Sequence, residues 1–123
     1  MKTCVIGEAD PFIARLLKRF AAESGLRTVV APVGQDVLEL TRHVKPVVII
    51  MEAELPGTIR GWEAVRALRA DRETCNIPLI ICSWLQEASV DALVGEVAGH
   101  LLKPELLYDD FEAALREAGV EAG

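Results

Sequence analysis

The sequence predicts an α/β domain with a doubly wound, five-stranded parallel sheet and helices on both faces. Short apolar, β-branched runs alternate with segments in which apolar residues recur at helical spacing, a pattern typical of repeated β–α units. The connections between them are short, which favours parallel strands joined by right-handed crossovers. The chain has 123 residues and no linker or low-complexity stretch. We therefore predict one domain over residues 1–123.

The first β–α unit combines a short strand, Thr3–Ile6, with a helix that begins after Asp10. An acidic side chain caps the first backbone amides of a helix, and proline is favoured at the first helical position, which Pro11 occupies. Gly25 follows the last apolar residues and is expected to take the left-handed conformation that ends many helices.

The second and third units follow without a break. Arg27–Ala31 is rich in β-branched residues and predicts the second strand, and Val37–Thr41 predicts a short helix that ends before Pro46. The run Val47–Met51 is continuously apolar, as expected for a central parallel strand covered on both faces. The segment Glu52–Gly61 contains a Pro-Gly turn signal and predicts a loop.

The last elements repeat the alternation. Trp62–Arg69 predicts the third helix, Pro78–Cys82 the fourth strand and Gln86–Val94 a weaker fourth helix. A short fifth strand is predicted at His100–Leu102. The final helix is predicted from Leu106 onward and ends at Gly119.

Composition limits the function classes. Thirteen Lys and Arg stand against nineteen Asp and Glu, a net charge of −6, which argues against nucleic acid or an anionic membrane as the main partner. No apolar run approaches the roughly 20 residues that span a bilayer. The amino terminus does not resemble a secretory signal, and three cysteines fit a reducing compartment better than a disulfide framework. We expect a cytoplasmic location, with Cys4 and Cys82 as small strand hydrophobes.

Chemistry is expected where the strands end. In doubly wound sheets, ligands bind at the carboxyl ends of the strands, near the point where strand order reverses. The predicted strands deliver three carboxylates, a hydroxyl, an indole and an ammonium to that edge: Glu8, Asp10, Glu52, Ser83, Trp84 and Lys103.

At these positions the chain resembles the receiver domain of bacterial two-component response regulators, over essentially its whole length. The most specific pieces are Pro46–Glu52 followed by Leu55-Pro56-Gly57, the run Pro78–Ser83, and Lys103-Pro104. Each is weak alone, but together they occur in order and on the expected strand ends. The resemblance implies a flavodoxin-like sheet with strand order 2-1-3-4-5, and a single receiver-like domain in signal transduction.

The resemblance also implies a role for each position. A receiver of this family binds Mg²⁺ with an acidic pair after the first strand, and an aspartate ending the third strand accepts a phosphoryl group from a histidine kinase. A Ser or Thr ending the fourth strand and a Lys ending the fifth bind the phosphoryl oxygens. By position, Glu8 matches the first acid, Ser83 the hydroxyl, and Lys103 the lysine, which is followed by a proline whose bond is usually cis.

Several positions depart from that pattern. The acceptor position is Glu52 instead of aspartate, and the second acidic position is Ala9. His100 occupies the position in the fifth strand where the family usually has an aromatic residue that swings inward on activation. Mg²⁺ needs oxygen ligands in near-octahedral geometry. The metal site is therefore weakened at two positions, because Ala9 has no side-chain oxygen and the Glu52 side chain is longer than that of aspartate. Asp10 could compensate, although helix capping is the commoner role of an acid before proline. We predict that phosphorylation is lost, with no catalytic residue, bound metal or other cofactor.

Two hypotheses remain open for Glu52. Its carboxylate could approach Lys103 and Ser83 as a phosphoryl group would and hold an active-like conformation, or the domain could be a rigid module with no switch. Ser83 drawn toward a Glu52–Lys103 pair would favour the first hypothesis. Lys103 bonded only to Glu8 or to solvent would count against it.

The leading functional hypothesis is a non-enzymatic module that acts through protein–protein contacts. The partners implied are a fused or separate effector, a kinase, or a second copy bound through the face of the fourth helix, fifth strand and fifth helix. The alternative is a receiver that still accepts phosphate on a non-standard residue, with Mg²⁺ at Glu8 and Asp10. A flavodoxin-like cofactor binder ranks lower because Gly7 stands alone after the first strand, without a glycine-rich phosphate loop.

His100 and Trp84 have simpler interpretations as well. His100 could sense pH, but a partly exposed, hydrogen-bonded histidine on an edge strand is the preferred interpretation. Trp84 is open between a partner-binding anchor, a cover for the pocket and a core-filling residue.

Overall fold

The computed structural model describes residues 1–121, so Ala122 and Gly123 of the predicted domain lie outside the described residues. Strands and helices alternate throughout this part of the chain. The strands are β1 (Thr3–Gly7), β2 (Arg27–Ala31), β3 (Val48–Met51), β4 (Leu79–Ser83) and β5 (Gly99–Leu102). The helices are α1 (Pro11–Glu23), α2 (Gly34–Val44), α3 (Gly61–Ala70), α4 (Glu87–Val94) and α5 (Tyr108–Glu117). None of these described helices is long and apolar enough to cross a membrane.

The strands form one parallel sheet in the order β2-β1-β3-β4-β5, which confirms the predicted fold class. Helices α1 and α5 cover one face, where Leu17 and Phe111 are buried in one apolar cluster. Helices α2, α3 and α4 cover the other face through Val37, Val65 and Val90. All four residues of β3 are buried, as its continuous apolar sequence predicts for a strand covered on both sides.

The boundaries of α1 are those that the sequence predicts. Asp10 is the N-cap, and its Oδ1 accepts hydrogen bonds from the backbone amides of Phe12 at 2.8 Å and Ile13 at 3.4 Å. Pro11 is the first helical residue, and Gly25 has a φ of 77° just after the helix ends. Local capping signals are therefore enough to predict where this element begins and ends.

The starts of α2 and α5 both lack a capping side chain. The residues predicted on the second helix, Val37–Thr41, lie within α2, which begins earlier, at Gly34, after a residue (Val33) whose side chain caps nothing. Helix α5 begins at Tyr108, whereas Leu106 lies before it in the apolar core and donates its backbone amide to the Pro104 carbonyl at 2.9 Å. The prediction that the last helix begins at Leu106 was therefore wrong, because the apolar character of this residue did not reveal that it precedes the helix.

The cysteines are free thiols in different surroundings. Cys4 and Cys82 are buried in β1 and β4, whereas Cys75 is exposed. Burial raises the pKa of the Cys4 thiol to about 12. Burial also raises the pKa of Cys82 to about 12, and the nearby charge of Lys103 offsets only part of that effect. Both buried thiols are therefore neutral at pH 7, as the interpretation of small strand hydrophobes expects.

Candidate functional site

Lys103 lies just after β5 with its ammonium group between two carboxylates. Its Nζ is 2.6 Å from Oε1 of Glu8 and 3.2 Å from Oε1 of Glu52. The side chains of Lys103 and Glu8 are each 3% exposed, and that of Glu52 is 9% exposed. We call these three residues the buried triad. The triad brings together three of the positions that the strand ends predicted.

Backbone hydrogen bonds beyond the strand ends position the triad. Glu8 donates its amide to the carbonyl of Ala31 at 3.0 Å, and Glu52 donates to Gly7 at 3.0 Å. Lys103 donates to the carbonyl of Ser83 at 2.8 Å. Each triad residue therefore continues the parallel ladder by one step, so the three side chains reach the same edge of the sheet.

The second oxygen of each carboxylate is held by its own loop. Oε2 of Glu8 accepts from the Asp10 amide at 3.0 Å, and Oε2 of Glu52 accepts from the Glu54 amide at 3.1 Å. Oε1 of Glu8 is buried and lacks a hydrogen bond of good geometry, so its 2.6 Å approach to Lys103 is best described as an ion pair. A buried carboxylate needs such compensation, since an unpaired buried charge is costly.

The electrostatics of the triad keep the lysine charged. Burial alone would lower the pKa of Lys103, but the close contact and negative charge of Glu8, together with the negative charge and hydrogen bond of Glu52, outweigh it and raise the pKa above its ordinary value. Two carboxyl groups share one ammonium, so the ammonium is the common partner on which both depend. Removing it would leave two buried acids facing each other.

The backbone of Glu52 packs directly against the start of α3. A Cβ atom added to Gly61 would overlap the carbonyl oxygen of Glu52 and lie 2.7 Å from that of Ala53. Gly61 also donates its amide to the Leu55 carbonyl at 2.8 Å. The loop after β3 therefore closes on Glu52 only because residue 61 has no side chain.

Ser83 does not join the triad. It ends β4 with 1% exposure, and its Oγ accepts a hydrogen bond from the Leu85 amide at 3.2 Å. Among residues 1–121, no hydrogen bond links its hydroxyl to Glu52 or Lys103. The active-like hypothesis expects two contacts of Glu52, one with Lys103 and one with Ser83. The contact with Lys103 is present, and the contact with Ser83 is missing.

The remaining acid and the indole lie away from the triad. The carboxylate of Asp10 is exposed and caps α1, so it does not share Lys103 with Glu8 and Glu52. Trp84 is 59% exposed, which rules out a core-filling role. The Lys103-Pro104 peptide bond is cis, as the resemblance implies.

His100 lies on β5, the edge strand, and faces α4. Its side chain is 20% exposed, with Nδ1 3.5 Å from Oε1 of Glu87 and Nε2 3.2 Å from Oδ1 of Asp91. Sequence reasoning missed both acids as neighbours of His100. Their spacing of four residues on one helix was the available signal.

The fold and the buried triad together define a class of protein: α/β domains that carry carboxylates and a lysine at the carboxyl edge of a 2-1-3-4-5 sheet. Residues 4–115 match the family described as response regulator receiver domain, and the chain belongs to that family.

The chain is similar to curated members of different length. It is 31% identical over 107 residues to the protein PilH of Pseudomonas aeruginosa, covering 85% of this chain and 87% of PilH. It is 30% identical over 107 residues to the transcriptional regulatory protein AfsQ1 of Streptomyces coelicolor, covering 85% of this chain but 45% of AfsQ1. The chain therefore spans less than half the length of AfsQ1 and most of the length of PilH.

Solved receiver structures share the fold. The receiver domain of the sensor histidine kinase PA1611 from Pseudomonas aeruginosa, solved with a magnesium ion coordinated in its active site cleft, superposes with a TM-score of 0.82 at 20% identity, covering 96% of this chain and 98% of that domain. The chemotaxis protein CheY4 of Vibrio cholerae superposes with a TM-score of 0.83 at 19% identity, covering 96% of this chain and 98% of CheY4. At these identities the likeness concerns the fold alone.

Proposed function

We propose that this chain is a receiver domain that no longer accepts a phosphoryl group and acts, without enzymatic activity, as a protein–protein interaction module in two-component signalling. The observation that carries the proposal is the contact of Lys103 with Glu52 inside the buried triad. In the proposal, Glu52 gives Lys103 a permanent anionic partner in place of the transient one that phosphorylation supplies to other receivers.

The geometry of Glu52 supports the loss of phosphoryl acceptance. One carboxylate oxygen faces Lys103 and the other accepts from the Glu54 amide, and the side chain is almost fully buried. Phosphoryl transfer needs a nucleophile placed in line with the leaving group. A buried carboxylate already engaged at both oxygens is poorly placed for that step.

The acidic residues also do not fit Mg²⁺ as they stand. Mg²⁺ requires oxygen ligands at about 2.1 Å in near-octahedral order. Ala9 offers no side-chain oxygen, and Asp10 caps α1. The two remaining carboxylates, Glu8 and Glu52, have the ammonium of Lys103 between them, and a divalent ion would have to displace it. We therefore assign no step to Mg²⁺.

We further propose that the domain has one fixed conformation. Glu52 brings one negative charge to Lys103, whereas a phosphorylated side chain brings about −1.5 to −2. Ser83 bonds to Leu85 instead of turning toward Glu52. A permanent pair without the serine contact supports a module without a switch more than a fully active-like state.

The partner in this proposal is a protein, either an effector or a kinase, fused or separate, or a second copy bound through α4, β5 and α5. The net charge of −6 supports neither nucleic acid nor an anionic membrane as a direct partner. The cytoplasm remains the predicted location.

Titration with beryllofluoride and Mg²⁺ tests the proposal. We expect no saturable amide shifts in the native protein at millimolar concentrations, measured by two-dimensional NMR. The double variant Ala9→Asp/Glu52→Asp restores both family residues and is expected to respond at the residues around Lys103. A saturable response of the native protein would support the alternative, a receiver that works with a non-standard acceptor.

A further inference from the structure

We propose that Glu87, Asp91 and His100 form a binding site for a divalent transition-metal ion of the Zn²⁺ type, which joins α4 to β5. One nitrogen of His100 and one oxygen of each acid lie within 4.8 Å of one another. None of the three belongs to the buried triad. The site is therefore distinct from the buried triad.

The helix brings the two acids to the same place. Glu87 and Asp91 are four residues apart on α4, so they lie on one face, one turn apart. Their side chains are 70% and 47% exposed, which leaves room for an ion to enter from solvent. Like charges at this spacing repel each other in the absence of a cation. A bound cation would remove that repulsion.

The histidine distinguishes this cluster from an ordinary acidic surface. Nε2 of His100 is buried and lacks a hydrogen bond of good geometry, although Oδ1 of Asp91 is 3.2 Å away. Buried polar atoms are normally satisfied, so an unsatisfied ring nitrogen calls for a partner. Two ligands of a tetrahedral Zn²⁺ ion, each about 2.0–2.1 Å from the metal, are themselves roughly 3.3 Å apart. The separation of Nε2 and Oδ1 already matches that value.

The donor atoms select the class of metal. An imidazole with carboxylates suits Zn²⁺ and its first-row neighbours, whereas Mg²⁺ and Ca²⁺ prefer oxygen alone. The same groove, with a volume of about 470 Å³, is also lined by Glu96 and Glu117. These acids add negative charge around the site.

A metal ion at this site would hold the first half of α4 against β5. Arg69 of α3 donates to the backbone carbonyls of Val94 and Glu96, which holds the carboxyl end of that helix. Glu87 is the first residue of α4. The ion would tie this opposite end to β5 through His100.

Isothermal titration of the chelator-treated protein with ZnCl₂ tests the proposal. We expect one Zn²⁺ ion per chain, a higher unfolding temperature with Zn²⁺, and an NMR shift of the ring nitrogens of His100. His100→Gln should lower the affinity by about tenfold or more. His43→Gln is the matched control, because His43 is the other histidine and lies exposed on α2.

Further variants cover the remaining outcomes. Asp91→Asn alters an exposed acid and should also weaken binding by about tenfold, so the test does not depend on the folding of the histidine variant. Cys75→Ser removes the exposed thiol and should leave the affinity unchanged. Absence of Zn²⁺ binding, equal loss with His43→Gln, or loss only with Cys75→Ser would each overturn the proposal.

Discussion

Glu52 and Lys103 form an ion pair although their strands are not neighbours: β3 and β5 flank β4, and Oε1 lies 3.2 Å from Nζ across its end. The pair therefore links strands on either side of β4 at the edge where receivers carry their chemistry. Glu8 completes the contact from β1, on the far side of β3. A single lysine side chain thus connects three strands of the sheet.

The variant Lys103→Met should strongly destabilise the fold. It leaves Glu8 and Glu52 buried without a cation, and breaking a buried ion pair by removing one partner costs about 3–5 kcal/mol. Urea unfolding measures this as a lower midpoint with an unchanged slope. Lys18→Met, at an exposed position on α1, is the control and should stay within about 0.5 kcal/mol of the native protein. Equal stability of the two variants would show that the triad is not compensated through Lys103.

The two carboxylates should differ in their contribution. Glu8→Gln removes the closer partner of Lys103, at 2.6 Å, and should lower the free energy of unfolding by about 3 kcal/mol, the lower end of the range for breaking a buried ion pair. Glu52→Gln still leaves Lys103 paired with Glu8, so a loss of about 1 kcal/mol is expected. Denaturant unfolding of both variants at pH 7 gives the comparison. A larger loss for Glu52→Gln would reverse the assignment of the main ion pair.

Stability should fall in alkaline solution. Cys4 and Cys82 have folded pKa values raised to about 12 from 9.0, so their neutral thiols contribute stability fully below pH 9, and it is lost as the pH rises toward 12. The pKa of Lys103 is raised from 10.5, so its contribution is present below that pH and is lost above it. Unfolding free energies measured from pH 7 to 11 should be flat at first and decline above about pH 9. The double variant Cys4→Ala/Cys82→Ala should show a shallower decline, and an unchanged decline would contradict the assignment.

Gly61→Ala should displace the backbone at the acceptor position, Glu52. The added methyl group overlaps the Glu52 carbonyl, so the loop after β3 must move, with an expected loss of about 2–3 kcal/mol. Gly99→Ala is a matched control, because its added Cβ meets only ordinary contacts at 3.4 Å. Thermal unfolding, with amide NMR shifts at residues 52–55, measures both effects. Similar losses in the two variants would show that Gly61 has no special role.

The fold, and the edge of the sheet that carries the site, could be predicted from the sequence. The contacts within the site could not. The apolar run before Glu52 and the Asp10-Pro11 start identify elements by local rules, and strand ends then place Glu8, Glu52 and Lys103 on one edge. Whether Lys103 pairs with Glu8, Glu52 or both depends on side-chain distances that local sequence rules do not predict. Asp10 shows the limit most clearly, because one carboxylate could serve the site or the helix and the structure assigns it to the helix.

Contacts between distant elements could not be predicted from the sequence for the same reason. His100 meets Glu87 and Asp91 because of how α4 packs on β5, and that packing follows from the assembled sheet. Arg69, on α3, reaches carbonyls at the end of α4 in a similar way. Periodicity predicted these helices but not which of their polar residues would face one another.

Intact mass after incubation with acetyl phosphate and Mg²⁺ tests the central claim most directly. The native protein should show no added phosphoryl group, while Ala9→Asp/Glu52→Asp, with both family residues restored, should gain one. A phosphoryl adduct on the native protein would contradict the proposal that phosphorylation has been lost, and tandem mass spectrometry would identify the residue that carries it.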